Sequence, residues 1–526
     1  MKNINLVDDP WIEVLDTKFN QQTVSIKELL QNATNYYMIA GETKSQDLSI
    51  MRLVLAILTK VYASDNGLEK WKELYENNSF SDKLFEYLEE VKDKFNLVGD
   101  NSFITVSNKF YDRHSNSPTT GTKGKVAFKQ INRRISESGN SIQLFSPITG
   151  KEKNKLSSEE LVRWLVAYQQ FTGVTDKAKI EGAKYSADKG WLYRLNPIII
   201  EGENIFETLM LNLNLSQEVS QRPIWEYESY EKYLEHRMNG IVPKNIAELY
   251  TLPSRMMTIK ELDSDNPQLY VTSLPKLINE ENVLDPMSIY QETKDGLKSA
   301  ARNKENYSKG LWEYFKSEYH LPENILFLKE LISSGVIDGG KHLKIENIQL
   351  VSDGKATSQM PEIEAKDSIY ILASLINDKS IKYVNQKIAQ IFEMLRIFWV
   401  YSMKVNTNRG LNQQNKAITT KRIEPLKVKI TTKFKDWTSE FELDDEYTKE
   451  LGREIIDETY IIIREAGDNI LKSATPKDMK GVMEVEEGVD PSNIFVFYRG
   501  FRYLLDKFVD KNIIDLLDED KWREVR

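Results

Sequence analysis

The chain has 526 residues, of which 40% are apolar and 29% charged, and its net charge is −9. That is enough chain for roughly two to four domains with real cores, and the balance excludes both a disordered polymer and a uniformly basic nucleic-acid binder. There is no cysteine, and the four histidines (His114, His236, His320, His342) never fall at metal-ligand spacing, which excludes disulfides and thiolate metal sites and argues against a catalytic zinc.

Residues 1–15 are too polar and acidic for a signal-peptide core. Asn5-Leu6-Val7 and Trp11-Ile12-Glu13-Val14-Leu15 flank Asp8-Asp9-Pro10 as a strand or hairpin beginning, in which the two aspartates read as a turn rather than a metal site. Ser25-Ile26-Lys27-Glu28-Leu29-Leu30 opens a short helix. Residues 48–63 are the most apolar segment but are interrupted by Arg52 and Lys60. They fall short of the ~20 residues of a membrane span, so a buried helix and a cytoplasmic protein are expected.

Helical patterns continue over residues 68–95, and Asn101-Ser102-Phe103-Ile104 marks a strand edge or turn. Residues 121–134 carry Lys123, Lys125, Lys129, Arg133 and Arg134 with no acid, and Leu144-Phe145 follows a Ser/Gly/Asn-rich stretch. This reads as a long exposed loop, either idle or binding. Ser157 and Glu160 fit a capping box for a helix with Leu161, Leu165 and Tyr168 on its apolar face.

Residues 176–215 organise this part of the chain. A polar loop with Lys177, Lys179, Lys184, Lys189 and Arg194, and with Gly182 and Gly190, leads into a strand at Ile198-Ile199-Ile200. Asn204 then caps a helix carrying Ile205, Leu209 and Leu213. A cationic loop on a rigid base is either a solvated surface or a partner for a phosphate backbone or shallow groove; the residues alone leave both open. Short segments with frequent turns run on to about residue 363, implying an irregular α+β domain.

From residue 369 the pattern changes. Ile381, Val384, Ile388, Ile391, Leu395 and Phe398 form one helical seam; Leu451, Ile455, Ile462 and Ile470 a second; Ile494, Phe497, Phe501, Leu504 and Phe508 a third. Between them, residues 404–435 hold nine basic side chains against one acid, Glu424, as a solvated linker or a phosphate-facing surface. The expected fold is α+β: a mixed recognition domain over residues 1–365, then a C-terminal antiparallel helical (four-helix) bundle over residues 366–526. No phosphate-binding Gly-rich loop, nucleophile elbow or HExxH helix occurs, so neither catalysis nor a cofactor is expected.

Several of these segments, in order, resemble the CasA family, the large subunit of the type I-E CRISPR surveillance complex Cascade. They are Asn5-Leu6-x-Asp8-x-Pro10-Trp11-Ile12-x-Val14, Ser25-Ile26-x-x-Leu29-Leu30, Arg52-Leu53-Val54-Leu55-Ala56-Ile57-Leu58 and Asn140-Ser141-Ile142-Gln143-Leu144-Phe145. Gly202-x-Asn204-Ile205-Phe206-Glu207-Thr208-Leu209-x-x-Asn212-Leu213, Pro223-Ile224-Trp225-Glu226, Leu252-Pro253-Ser254-Arg255 and Asp285-Pro286-Met287-x-x-Tyr290 continue the series.

The resemblance implies a non-catalytic subunit that reads the protospacer-adjacent motif of double-stranded DNA from the minor groove, promotes strand separation and helps recruit a helicase-nuclease. It implies double-stranded DNA, guide RNA, other Cascade subunits and the helicase-nuclease as partners; no membrane is expected from the hydropathy, and the zinc cluster that some of the family carry is not expected in a chain without cysteine. It places a glycine loop at Ala187-Asp188-Lys189-Gly190, which is poorer in glycine than the family's, a lysine finger at Lys276, and a glutamine wedge at Gln359 beside Ser358. Asn140 and Phe145 would meet the guide RNA or neighbouring subunits, with Phe145 either stacking on a base or serving as a core residue. A metal-dependent nuclease and a purely structural scaffold are the alternatives.

Overall fold

The computed structural model describes the chain except residues 64–65, 138–145, 174–177, 188, 216–219, 265, 279–282, 304–305, 353–360, 441–444, 482–491 and 516–526. It divides into two compact units. The first comprises Met1–Tyr307, His320–Glu330 and Lys344–Asp367; the second comprises Ser308–Tyr319, Leu331–Leu343 and Ser368–Arg526. Two short segments from the earlier part of the chain therefore belong with the C-terminal helices. The architecture is α+β, as expected.

The first unit is built round the helix Lys44–Tyr62, which is buried along almost its whole length. It packs against the helices Ser158–Phe171 and Ile246–Tyr250. Thr43 caps its start, accepting from the Gln46 N–H, and Glu364 accepts from the Lys44 and Ser45 N–H groups at 3.0 Å each, satisfying donors that the helix itself cannot.

The charge that interrupts the apolar run, Arg52, lies wholly inside. Its Nη1 and Nη2 donate to Asp285 Oδ1 and Oδ2 at 3.1 and 2.8 Å, and its guanidinium sits 4.1 Å over the Tyr250 ring. A buried guanidinium survives in a helix of this kind only with such a bidentate partner. Lys60, nearer the helix end, reaches outward to Glu226 at 3.2 Å.

The strands of this unit form small antiparallel sheets. Ile12–Asp16 lies between Gln21–Val24 and Tyr36–Ile39, and Gln268–Ser273 lies between Lys125–Val126 and Arg255–Lys260. Ile198–Glu201 pairs with His342–Ser352 in the register Ile198↔Asn347 to Glu201↔Lys344. The local signals act where the sequence places them. Ser157 accepts from the Glu160 N–H at 3.2 Å while Glu160 accepts from the Ser157 N–H at 2.8 Å, and Asn204 caps Ile205–Leu211. Residues 121–137 are more ordered than the expected long loop: they hold the strand Lys125–Val126 and the helix Phe128–Ile131, with Lys129 paired to Glu137 at 2.7 Å.

The second unit is a four-helix bundle of Asp378–Asn408, Asn415–Ser439, Asp445–Lys472 and Ile494–Asp515. Its seam is displaced by one residue from the expected one in three places, one of them Val509 rather than Phe508. Ile463 rather than Ile462, and Leu505 rather than Leu504, point fully inward, and Leu504 is 50% exposed. The last helix turns its 494, 501, 505 and 509 positions to the core; this stripe and the one through 497, 504 and 508 fit the helical period equally well, and packing against the other helices selects between them. Tyr401 stacks on Phe501 with centroids 4.8 Å apart. Within the same unit, Trp312 of the segment Ser308–Tyr319 stacks on Phe434 at 5.1 Å and donates to Thr431 Oγ1 at 2.9 Å.

Candidate nucleic-acid interface

The strand Gln268–Ser273 continues into Leu274-Pro275-Lys276, and residues 178–187 run alongside this extension. The Ser273 N–H donates to Ala178 O at 3.0 Å, the Ala187 N–H to Leu274 O at 2.8 Å, and the Lys276 N–H to Tyr185 O at 3.0 Å. Pro275 has no N–H to contribute; its carbonyl accepts instead from Nε of the buried Arg237 at 2.8 Å. Arg255, also buried, fastens the loop from below, donating through Nη1 to the carbonyls of Ala187 and Ser254 at 3.0 Å each and through Nη2 to that of Gly173 at 3.2 Å.

This backbone zipper brings Lys189, Gly190 and Lys276 to one cleft of about 260 Å³. Arg194, Arg237 and Lys298 line it too, and no Asp or Glu is among its described lining residues. In a chain of net charge −9 that is a strong local excess of positive charge, which concentrates polyanions at the surface. Lys298 stands on the hairpin Tyr290–Thr293/Gly296–Ser299, whose tight turn uses Gly296 at φ +99°. Its exposed ion pair with Asp295, at 2.7 Å, is worth little in water. Lys189 lies with Nζ 5.2 Å from the Tyr193 ring centroid.

Trp191 forms part of the cleft wall, and its orientation is set from inside the fold. Trp191 Nε1 donates to Asp285 Oδ2 at 2.8 Å, and Asp285 is itself held by Arg52, the Met287 N–H at 3.0 Å and Ser288 Oγ at 3.2 Å. The Asp285 N–H donates to the Tyr290 hydroxyl at 2.7 Å. Burial, with Asp285 adding to it, pushes that hydroxyl above the ordinary tyrosine range. One carboxylate and its own backbone thus position both aromatic side chains of the wall.

Gly190 has an internal reason for lacking a side chain. Its φ of −66° suits any residue, but a Cβ there would stand 2.3 Å from the carbonyl oxygen of Gln170, at the end of the helix Ser158–Phe171. Ser358 and Gln359 lie outside the described residues, as do Asn140 and Phe145.

In the second unit, the basic segment of residues 404–435 is mostly helix. Arg409 makes two 2.9 Å bonds to the buried Asp478, Lys427 pairs with Glu313 at 2.7 Å, Lys433 pairs with Glu458, and Arg422 donates to Ser402 Oγ and Asn406 Oδ1 at 2.9 Å each. At least four of its nine cations are therefore engaged within the second unit, while Lys404, Lys416, Lys421 and Lys429 are exposed. Among the described residues no three His, Asp or Glu side chains gather where a metal ion could be held, and no helix is long and apolar enough to cross a membrane.

A family profile described as CRISPR-associated protein Cse1 matches residues 5–320, which include every described member of the cleft. The chain belongs to the Cse1 family. CRISPR-associated protein CasA/Cse1 of Thermus thermophilus is 26% identical over 230 residues, covering 43% of this chain and 42% of that curated relative, less than half its length. The crystal structure of Thermobifida fusca Cse1 has a TM-score of 0.75 at 17% identity, covering 96% of this chain and 98% of its own. That of Thermus thermophilus CasA gives 0.71 at 15%, covering 97% and 100%. A chain of a CRISPR RNA-guided surveillance complex gives 0.67 at 12%, covering 96% and 100%. The Cse1 fold thus extends through the bundle, beyond the reach of the sequence profile.

Among the described cleft members that sequence reasoning left out of the site are Trp191, Arg194, Arg237 and Lys298. Arg194 stood in the loop already noted as cationic, and Arg52 advertised a buried partner by interrupting an apolar helix. Nothing in the sequence around the buried Arg237 or the exposed Lys298 distinguished them from other charged residues.

Proposed function

We propose that this Cse1-family chain is the large, non-catalytic subunit of an RNA-guided type I-E CRISPR complex in the cytoplasm, assembled with guide RNA and the other Cascade subunits. In that role it reads a short motif in double-stranded DNA from the minor groove, begins strand separation and offers a docking surface to a helicase-nuclease. The observation that carries this reading is the backbone pairing that sets Lys276 and the Lys189-Gly190 loop at one cleft with no acid among its described lining residues.

Lysine suits the minor groove because its ammonium is a compact donor, and the groove offers acceptors at both A·T and G·C pairs. That pattern is degenerate, so a reader of this kind accepts several related motifs while the guide supplies the sequence discrimination. Gln359 as a wedge rests on the family resemblance; inserting a side chain costs a few kcal/mol of unstacking, offset by heteroduplex formation and phosphate contacts.

The test is target binding by the reconstituted complex on duplexes with a randomised flanking motif. Lys276→Ala and Gln359→Ala are expected to weaken motif-dependent binding while assembly with guide and partner subunits is preserved. Unchanged motif preference in both variants would leave only a scaffolding role. Neutralising Lys404, Lys416, Lys421 and Lys429 together should lower the salt slope of binding by about 0.9 for each phosphate no longer neutralised; an unaltered slope would turn that face away from DNA.

A further inference from the structure

The cleft has a depth and lining that groove reading does not use. Behind its cationic mouth stand Trp191, Leu252, Pro253, Val283, Tyr290 and Leu297. Leu252 belongs to a buried cluster with Leu249 and Leu277, against which Trp191 and Val283 pack. The Trp191 indole is held through Nε1 and the Tyr290 ring through its hydroxyl, both by the Asp285 group, so this wall exists before any ligand arrives. A mostly apolar, partly aromatic interior of about 260 Å³, with the buried Arg237 in its lining and Lys189, Arg194, Lys276 and Lys298 at its rim, is larger than a lysine–groove contact requires and small for an extended ligand.

Its chemistry matches one nucleotide removed from a stack. A base face rests on aromatic and aliphatic carbon, while the flanking phosphates stay at the mouth among cations. Duplex DNA offers such a nucleotide only where pairing has been broken, and the lysine that reads the motif stands at the same rim.

We propose that the cleft captures a single unstacked deoxynucleotide from the duplex beside the motif and so holds the first broken base pair open. This rests on the motif-reading assignment of Lys276 and adds a ligand to it. Capture makes the opened state lower in free energy without any chemical step, since re-pairing must first withdraw the base from the pocket.

The experiment uses the reconstituted complex and duplexes carrying 2-aminopurine at successive positions on either strand beside the motif. One position is expected to change its fluorescence on binding beyond what its neighbours show. Leu297→Trp, on the half-buried hairpin face, fills the cleft from a site that does not hold the fold together, and it is expected to abolish that change. Trp191→Leu is expected to weaken binding of the opened duplex by about 5- to 100-fold.

An identical fluorescence change in the parent complex and Leu297→Trp overturns the capture. A filler-sensitive signal from 2-aminopurine in the guide RNA, with none from DNA, also overturns it and assigns the pocket to RNA. The underlying reading is scored separately by motif preference. If Lys276→Ala abolishes that preference while Leu297→Trp changes neither preference nor fluorescence, motif reading stands and capture falls; if Lys276→Ala leaves preference intact, the reading itself falls.

Discussion

Replacing Asp285 by alanine probes the element on which the cleft wall depends. The change leaves the Arg52 guanidinium, with no exposed side-chain surface, without the two carboxylate oxygens that accept from it at 2.8 and 3.1 Å. Removing one partner of a fully buried ion pair costs about 3–5 kcal/mol. The simultaneous loss of the acceptor for Trp191 Nε1 and the Met287 N–H pushes the cost towards the upper end. Arg52→Met is expected to cost less, because the carboxylate keeps three other donors, Trp191 Nε1, the Met287 N–H and Ser288 Oγ.

The double variant should cost clearly less than the sum of the two, since the second change removes the group that the first one stranded. Urea unfolding monitored by circular dichroism, fitted to the transition of the first unit, measures all three. A cost below about 1 kcal/mol for Asp285→Ala, or additivity within about 0.5 kcal/mol, would refute the account.

Two further perturbations test other parts of the fold. Gly190→Ala should destabilise the first unit by about 1–3 kcal/mol, because its Cβ would enter the space of the Gln170 carbonyl; an unchanged melting temperature would mean that the loop shifts freely. Lys387, wholly buried in the first bundle helix with no hydrogen-bond partner for Nζ, is lowered to about 8 by burial and then by Arg453. Its folded pKa lies below the unfolded one, so this group's penalty is full at pH 7 and disappears as pH rises from about 8 towards the ordinary lysine value. Lys387→Met should therefore stabilise the bundle at pH 7 by up to roughly 3 kcal/mol and by progressively less above pH 8; a gain independent of pH would show that packing, not charge, is responsible.

Short-range signals in the sequence were reliable guides. The Asn204 cap, the Ser157–Glu160 box and the Ile198-Ile199-Ile200 strand each depend on groups a few residues apart, so their physics is written locally. What was illegible depends on distance along the chain. Arg52 and Asp285 are separated by 233 residues, and a charge in an apolar run says that a partner exists without saying where.

The basic segment of residues 404–435 misled by composition. Its count of charges is correct, but Glu313, Glu458 and Asp478, supplied from elsewhere, engage three of its cations. The one-residue rotation from Leu504 to Leu505 arises because neighbouring leucines both fit a helical stripe and only packing against the other helices selects one. At the cleft, Lys189-Gly190 and Lys276 were singled out by resemblance, while the pairing of residues 178–187 with the strand extension, which brings them together, is a long-range backbone contact with no side-chain signature.

That pairing has a consequence for how the family can change. The bonds between Ala187 and Leu274, and between Tyr185 and Lys276, join main-chain atoms, so the spacing between the loop and the finger is a gauge independent of the side chains mounted on it. Exchanging the residue at 189 or 276 retunes what the two tips grip and leaves their separation alone. Drift in preference can therefore proceed one position at a time, on an undisturbed frame.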